Sequence, residues 1–210
     1  MSNPFFSIII PANNAENYIR PLLDSIAAQT FRDYEIIVIC DSCTDGTERI
    51  AREYGARTES VSFGRDGLSR DRGIELATGD WILFADDDDW FLYDTAFRKL
   101  YDVASGTDAD VIAFGFEFRT KGIIHPSDSR LFVPRIDHVW SSAWRRSSIG
   151  TARFGNAVFC SDTYFLRDMK ARVRKHVLFD YPIYYYNFLR PGSQTDLFVK
   201  GIIKESPVAE

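Results

Sequence analysis

The chain has 210 residues and a formal net charge of −5, with 45% hydrophobic and 15% aromatic residues. That is enough apolar material for one domain, or one domain with a modest appendage, and too much for a disordered chain. Its acidity argues against broad electrostatic binding to nucleic acid, and three cysteines cannot close a disulfide framework. No apolar run reaches the roughly 18 residues that a bilayer crossing needs. Met1-Ser2-Asn3-Pro4 lacks the basic start of a signal peptide, so a cytoplasmic protein is expected.

Phe5 to Ile10 is an apolar run ended by Pro11, which predicts a buried first strand. Ala12 to Ala15 is its exit loop. Tyr18, Ile19, Leu22, Leu23, Ile26 and Ala27 fall at helical spacing, with Pro21 tolerated only in the first turn. Tyr34 to Cys40 predicts a second buried strand, and Asp41 to Thr47 its exit loop. Ser42 followed by Asp45 suits a helix start, and Gly55 suits its C-terminal cap. Val61 to Phe63 predicts a short third strand, Leu68 to Ala77 a helix, and Trp81 to Phe84 a strand buried on both faces. A helix over about Thr95 to Ala104 leads to a strand over Asp110 to Phe118.

Beyond that point the pattern is less regular. Residues 119–135 read as a hairpin or irregular insert. Val139 to Ile149 reads as a short helix rich in Trp and Arg, and Ser161-Asp162 precedes another helix. Val177 to Phe179 and Pro182 to Tyr186 read as strand or edge segments, since proline disfavours a central ladder position. Arg190 to Ser193 reads as a turn, and residues 201–210 as a frayed end. Strand and helix alternating through the first half is the mark of an α/β domain with a mainly parallel sheet flanked by helices. Ligands of such sheets bind beyond the carboxyl ends of the strands. Three polar loops leave such ends: Ala12 to Ala15, Asp41 to Thr44, and Asp86 to Asp89.

The last of these loops carries the sharpest signal. Trp81-Ile82-Leu83-Phe84 runs directly into Asp86-Asp87-Asp88-Asp89. Four adjacent carboxylates repel one another, and beside a buried strand they need water, raised pKa values or a cation. Oxygen-only ligands suit Mg²⁺ or Mn²⁺, which also bridge phosphates.

Taken together, several segments resemble a family 2 glycosyltransferase with a GT-A, Rossmann-like fold, of the small soluble bacterial or viral type. The segments are Ser7 to Tyr18, Ser25 to Thr30, Tyr34 to Val38, Asp41 to Thr47, Ser69 to Gly73, Ala77 to Asp80, Asp86 to Trp90, Ser161-Asp162, Tyr184 to Tyr186 and Arg190 to Ser193. They run in register over about residues 5–195. Asn13 stands where the family commonly has an aromatic, Cys40 where an acid is frequent, Asp71 where Asn is usual, and Ser161 where Glu is usual.

The resemblance implies sugar transfer from a nucleotide donor, UDP-linked before dTDP-linked, to an acceptor hydroxyl with inversion at the anomeric carbon. Asp88 is implied as the ligand of Mn²⁺ or Mg²⁺, Asp86 as a contact to ribose or, through water, to the metal, and Asp87 as a supporting donor-side residue. Asp41 is implied as acceptor for the base edge, with Pro11, Ala12 and Glu16 lining the nucleoside pocket and Arg70 facing phosphate. Asp162 is implied as the general base, in competition with a role as helix N-cap. Residues 1–118 would form the donor half and 119–210 a smaller acceptor-side region of the same domain. Trp140, Trp144 and Arg145 are acceptor-side candidates, with Tyr164 and Tyr185 as further stacking aromatics and packing as the competing role. The acceptor would be a glycan, a lipid-linked intermediate or a modified nucleotide or base, with peripheral membrane contact through Arg145-Arg146 as one option.

Three other readings compete. A non-catalytic nucleotide-sugar binding protein would keep Asp41 and Asp88 and use Asp162 only for structure. A nucleotidyltransferase would share the metal and phosphate cleft. Cys40-Asp41-Ser42-Cys43, between a strand and a helix, has the spacing of a redox or zinc module, but Cys160 has no partner at zinc spacing. His125, His138 and His176 lack metal-ligand spacing and read as structural.

Overall fold

The computed structural model describes residues 3–118, 122–125, 138–157, 161–187 and 200–201. In chain order its elements begin β1 (Phe6–Ala12), α1 (Ile19–Ala27), β2 (Tyr34–Asp41), α2 (Thr47–Glu53) and β3 (Arg57–Val61). They continue α3 (Asp66–Leu76), β4 (Trp81–Phe84), β5 (Trp90–Phe91), α4 (Ala96–Ala104) and β6 (Val111–Phe118). The chain then adds β7 (Gly122–Ile124), β8 (Ser142–Arg145), α5 (Arg146–Ile149), α6 (Ser161–Arg172) and β9 (His176–Tyr186). The expected Cys160, the Arg190 to Ser193 turn, most of the 119–135 insert and the tail beyond 201 lie outside the described residues.

One mixed sheet has the order β3-β2-β1-β4-β8-β6-β9-β5, with β7 on β6. The first four strands are parallel, as the sequence pattern requires. β8 enters antiparallel between β4 and β6, and β9 returns parallel to β6. Because side chains alternate, each central strand feeds two apolar layers. Ile8, Ile10, Val38, Trp81 and Leu83 pack in one layer with α1, α2 and α4. Ile9, Ile37, Ile39, Ile82 and Phe84 pack in the other with α3, α5 and α6. Strands covered on both faces lose their alternation in sequence, which is why these runs read as continuously apolar.

Three expectations are corrected. The third strand is Arg57–Val61, four residues earlier than expected, and Ser62 and Phe63 belong to the loop after it. Residues 139–149 do not form one helix. Val139–Ser141 is a single 3₁₀ turn, Ser142–Arg145 is β8, and only Arg146–Ile149 is helical. A four-residue strand lies below the length at which periodicity separates helix from strand. Pro182 sits inside β9 rather than at an edge, and the ladder absorbs its missing N–H through a register shift opposite Gly115.

Candidate active site

The carboxyl ends of β1, β2, β3 and β4 open on one side of the sheet, and the loops leaving them are tied together. Asn13 Nδ2 donates to the Asp41 carbonyl at 2.6 Å, and Asn13 N–H to Asp87 Oδ2 at 3.4 Å. Glu16 Oε2 accepts the Gly46 N–H at 2.8 Å, while Glu16 N–H donates to Asp45 Oδ2 at 3.0 Å. At the start of α2, Asp45 Oδ1 accepts the Thr47 N–H at 3.0 Å. Pro11 and Ala12 pair with Ile39 and Cys40 at the edge of the same opening.

Asp41 is 5% exposed and does not offer an open edge. Its Oδ1 accepts the N–H groups of Phe63 and Gly64 at 2.8 and 2.9 Å, and its Oδ2 accepts the Arg65 N–H at 3.0 Å. Ser42 Oγ at 3.1 Å and Ser69 Oγ at 3.3 Å complete the set. A carboxylate has about four lone-pair sites, so these donors leave none for a nucleobase. Asp41 thus fastens the 62–65 loop to the end of β2.

Arg70 lies at the centre of the opening, buried on α3. Its Nη2 donates to Asp86 Oδ1 at 2.7 Å, and its Nη1 to Asp66 Oδ2 at 2.5 Å and Ser161 Oγ at 3.3 Å. Nη1 is also 3.8 Å from Asp162 Oδ1. Burial alone would lower the guanidinium pKa, but the charges of Asp66, Asp86 and Asp162 outweigh it and hold the pKa above its usual value. The Arg70 charge is shared among three carboxylates of the chain itself. The close approach needs Gly67, where a Cβ would stand 2.7 Å from the Gly155 carbonyl and 2.9 Å from Ser161 Cβ. α3 and the start of α6 thus pack near enough for Arg70 to reach both Asp86 and Asp162.

Asp162 comes from α6, on the other side of the guanidinium. Its Oδ2 accepts the Val139 N–H at 2.9 Å. Burial pushes its carboxyl up, Arg70 and the Val139 N–H pull it back, and it comes to rest at about 6. The segment before α6 is anchored by Asp71, whose two oxygens accept the N–H groups of Phe154 at 2.8 Å and Gly155 at 3.0 Å.

The four aspartates after β4 divide by burial. Asp86 and Asp88 are part-exposed, whereas Asp87 is 7% and Asp89 0% exposed. Asp89 precedes β5, and its oxygens accept the Tyr184 hydroxyl at 2.8 Å and the Asn187 N–H at 2.8 Å. Burial first, then the charges of Asp86 and Asp88, raise its carboxyl well above the usual range. Asp86 and Asp88 remain as hard oxygen donors facing the opening. Among the described residues no three acidic, histidine or cysteine side chains form a metal cage. That pattern suits a divalent ion held by one or two carboxylates and completed by water and substrate phosphate. Asp66 Oδ1 and Arg70 Nε, both buried, have no hydrogen-bond partner among the described residues.

The direction of β8 sets where two of the acceptor-side candidates, Trp144 and Arg145, lie. Being antiparallel, it carries residue 142 at the opening and residue 145 at the opposite end of the sheet. Trp144 is 1% exposed, donates its indole N–H to the Val139 carbonyl at 3.1 Å and packs edge-on against Phe165. Arg145 donates to the carbonyls of Ala109 and Thr107 and lies over the Trp81 ring. Neither reaches the site. Trp140 is near it but 3% exposed, stacked with His138, Tyr184 and Tyr186. Tyr185 is stacked on Trp90.

Asp66, the hold of Asp71 on Phe154 and Gly155, and the Tyr184 to Asp89 link escaped the sequence reading. The spacing of Asp66 four residues before Arg70 was the available signal for the first; nothing local marks the others.

A mainly parallel sheet with an acidic loop after β4 and a second carboxylate delivered from α6 defines a GT-A fold. The chain is 22% identical to the Staphylococcus aureus protein TarS, solved with UDP-GlcNAc, at a TM-score of 0.80 over 91% of this chain and 60% of that one. It is 15% identical to the mannosyltransferase PcManGT of Pyrobaculum calidifontis, solved with GDP-Man and Mn²⁺, at a TM-score of 0.72 over 99% of this chain and 67% of that one. The family model for Glycosyl transferase family 2 matches residues 7–173, and the chain belongs to that family. A PGL/p-HBAD biosynthesis glycosyltransferase of Mycobacterium bovis is 35% identical over 163 residues, 72% of this chain and 63% of the relative. The chain spans 61% of a relative from Bacillus subtilis (strain 168) and 38% of another.

Proposed function

We propose that this chain transfers a sugar from a UDP-sugar to an acceptor hydroxyl, with inversion and with a divalent ion, Mn²⁺ or Mg²⁺, on the donor phosphates. The observation that carries the reading is the meeting of Asp86 from the donor loop and Asp162 from α6 on the two sides of Arg70. Both halves of a displacement reaction need a carboxylate there. One holds the donor, and the other takes a proton from the attacking group. The family membership and the UDP-GlcNAc bound by TarS support the donor class.

In this reading residues 1–118 hold the donor and the later region holds the acceptor. Asp162 Oδ1 accepts the acceptor hydroxyl proton as its oxygen bonds to the anomeric carbon. The bond from that carbon to the donor phosphate oxygen breaks, and the nucleoside diphosphate leaves with the electron pair. A carboxylate with a pKa of about 6 is deprotonated at neutral pH yet basic enough to share the proton in the transition state. Asp88, with Asp86, would hold the metal, which when bound neutralises charge on the departing diphosphate. Arg70 keeps the two carboxylates from repelling each other. Because attack comes directly from the acceptor, the anomeric configuration inverts.

Calorimetric titration with UDP and MnCl₂, repeated with EDTA and with Asp88→Ala, tests the donor site. Binding that requires both metal and Asp88 supports it. Failure of the wild-type chain to bind UDP, dTDP, GDP or CMP would remove it.

A further inference from the structure

We propose that Asp66 is a positioning residue for the general base, an inference that rests on the sugar-transfer function above: with Ser161 it engages Arg70 Nη1, keeps that nitrogen off Asp162 and leaves Asp162 Oδ1 open to the acceptor hydroxyl. A guanidinium carries five N–H groups, two on each Nη and one on Nε. Both of those on Arg70 Nη1 are engaged, one by Asp66 Oδ2 at 2.5 Å and the other by Ser161 Oγ at 3.3 Å. Nη1 nevertheless lies 3.8 Å from Asp162 Oδ1. That is the separation of an ion pair and too long for a hydrogen bond. Asp162 Oδ2 accepts the Val139 N–H at 2.9 Å, so Oδ1 is the oxygen through which the base must work. Arg70 thus lends its charge to Asp162 without occupying that oxygen.

Asp66 and Arg70 stand one helical turn apart on α3, so their side chains share a face. That face meets the first residue of α6, where the buried Ser161 hydroxyl donates to Asp66 Oδ2 at 3.1 Å and accepts from Arg70 Nη1. Asp66 Oδ2 therefore receives both bonds, while the buried Asp66 Oδ1 has no hydrogen-bond partner among the described residues. An unpaired buried oxygen costs stability, and a carboxylate kept in place at that cost calls for a role beyond packing. Without the Asp66 charge, an Nη1 hydrogen is released beside Asp162 Oδ1, and the guanidinium can close on it. Asp162 would then be a hydrogen-bonded ion pair, and a poorer acceptor of protons. The remaining groups around Asp162 are Asp86 after β4, whose charge acts with that of Asp66 to raise the carboxyl, and the Val139 N–H, which acts with Arg70 to lower it. His138, before Val139, is stacked on Trp140, and Arg146 of the neighbouring α5 donates to the Gly79 carbonyl at the far end of β4.

The test is a pH titration of the Asp162 carboxyl, by carboxyl NMR of chain labelled at aspartate, with the resonance assigned by its absence from Asp162→Asn. Asp66→Asn keeps the shape of the side chain and removes its charge, and Asp66→Ala removes charge and amide together. Both should titrate at Asp162 roughly one pH unit or more below the wild-type chain, because the push of Asp66 is gone and Arg70 is free to approach. Calorimetry of UDP with MnCl₂ should stay within about threefold of wild type in both variants, since the change lies on the acceptor side of Arg70. A midpoint unchanged or raised in variants that bind UDP would overturn this inference and leave the sugar-transfer function standing. UDP binding that falls while the midpoint holds would also overturn it, by assigning Asp66 to the donor side. Normal sugar transfer by Asp162→Asn would remove Asp162 as the base, and the role of Asp66 with it, whatever the titration shows.

Discussion

The Tyr184 hydroxyl donates to Asp89 Oδ2 at 2.8 Å, and the Tyr184 hydroxyl oxygen accepts the Asp86 N–H at 3.0 Å. One phenol on β9 therefore closes both ends of the four-aspartate loop. Tyr184 and Asp89 are fully buried, so neither bond is shared with bulk water. Tyr184→Phe removes the hydroxyl and leaves a buried carboxyl short of one donor. The expected cost is about 1–3 kcal/mol in urea unfolding, together with weaker metal-dependent UDP binding. Wild-type stability and wild-type UDP binding in that variant would show that the phenol does not hold the loop.

Asp162 decides between catalyst and binding module. Asp162→Asn keeps the shape and the helix start but cannot take a proton. Transfer should fall on the order of 10²- to 10⁴-fold while UDP affinity stays near wild type. Normal transfer by this variant would eliminate Asp162 as the base.

The pH dependence follows from the same residue. Burial raises the Asp162 carboxyl to about 6, so the basic form prevails above that value. The rate with saturating donor should climb about tenfold per unit at low pH and level off above about 6. The acidic limb should disappear in Asp162→Asn. A limb that persists there belongs to another group.

Arg70 is the shared counter-charge of Asp66, Asp86 and Asp162, and its side chain is 7% exposed. Arg70→Ala strands these carboxylates in a buried setting. A loss of about 3–5 kcal/mol is expected on breaking such a buried network. It should be smaller at pH 5, where protonation of Asp162 relieves part of the repulsion. Chemical denaturation at pH 5 and pH 8 measures both. A loss under 1 kcal/mol at pH 8 would mean water screens the cluster.

The two cysteines of the β2 exit differ in reactivity. Cys40 is buried in the strand, and its thiol donates to Cys43, which lowers Cys43 to about 7 and raises Cys40. Iodoacetamide should modify Cys43 with a midpoint near pH 7 and leave Cys40 untouched in the folded chain. If the pair had a redox role in turnover, a Cys40→Ser, Cys43→Ser variant would lose sugar transfer. Retained transfer is expected.

Local sequence determined the first half closely. Apolar runs such as Ile8-Ile9-Ile10 and Ile36 to Ile39 admit little but buried strands, because a strand covered on both faces needs no polar alternation. Polar loops after such strands in a β/α repeat must gather at one edge, so the meeting of Asn13, Asp41 and Asp86 was legible without coordinates. The second half was not. Residues 142–145 joined the sheet because β4 and β6 left a gap between them, a fact of three dimensions that four residues cannot encode. Its antiparallel direction then carried Trp144 and Arg145 away from the cleft. The partners of each aspartate were likewise decided by packing. Asp41 became a clasp once the loop after β3 turned its N–H groups inward, Asp89 was buried once β9 brought Tyr184 over it, and Arg70 found Asp162 only because Gly67 let α3 close on α6. A sequence specifies which groups carry charge; the desolvation and the neighbours that set what each charge does arise only when distant segments fold against one another.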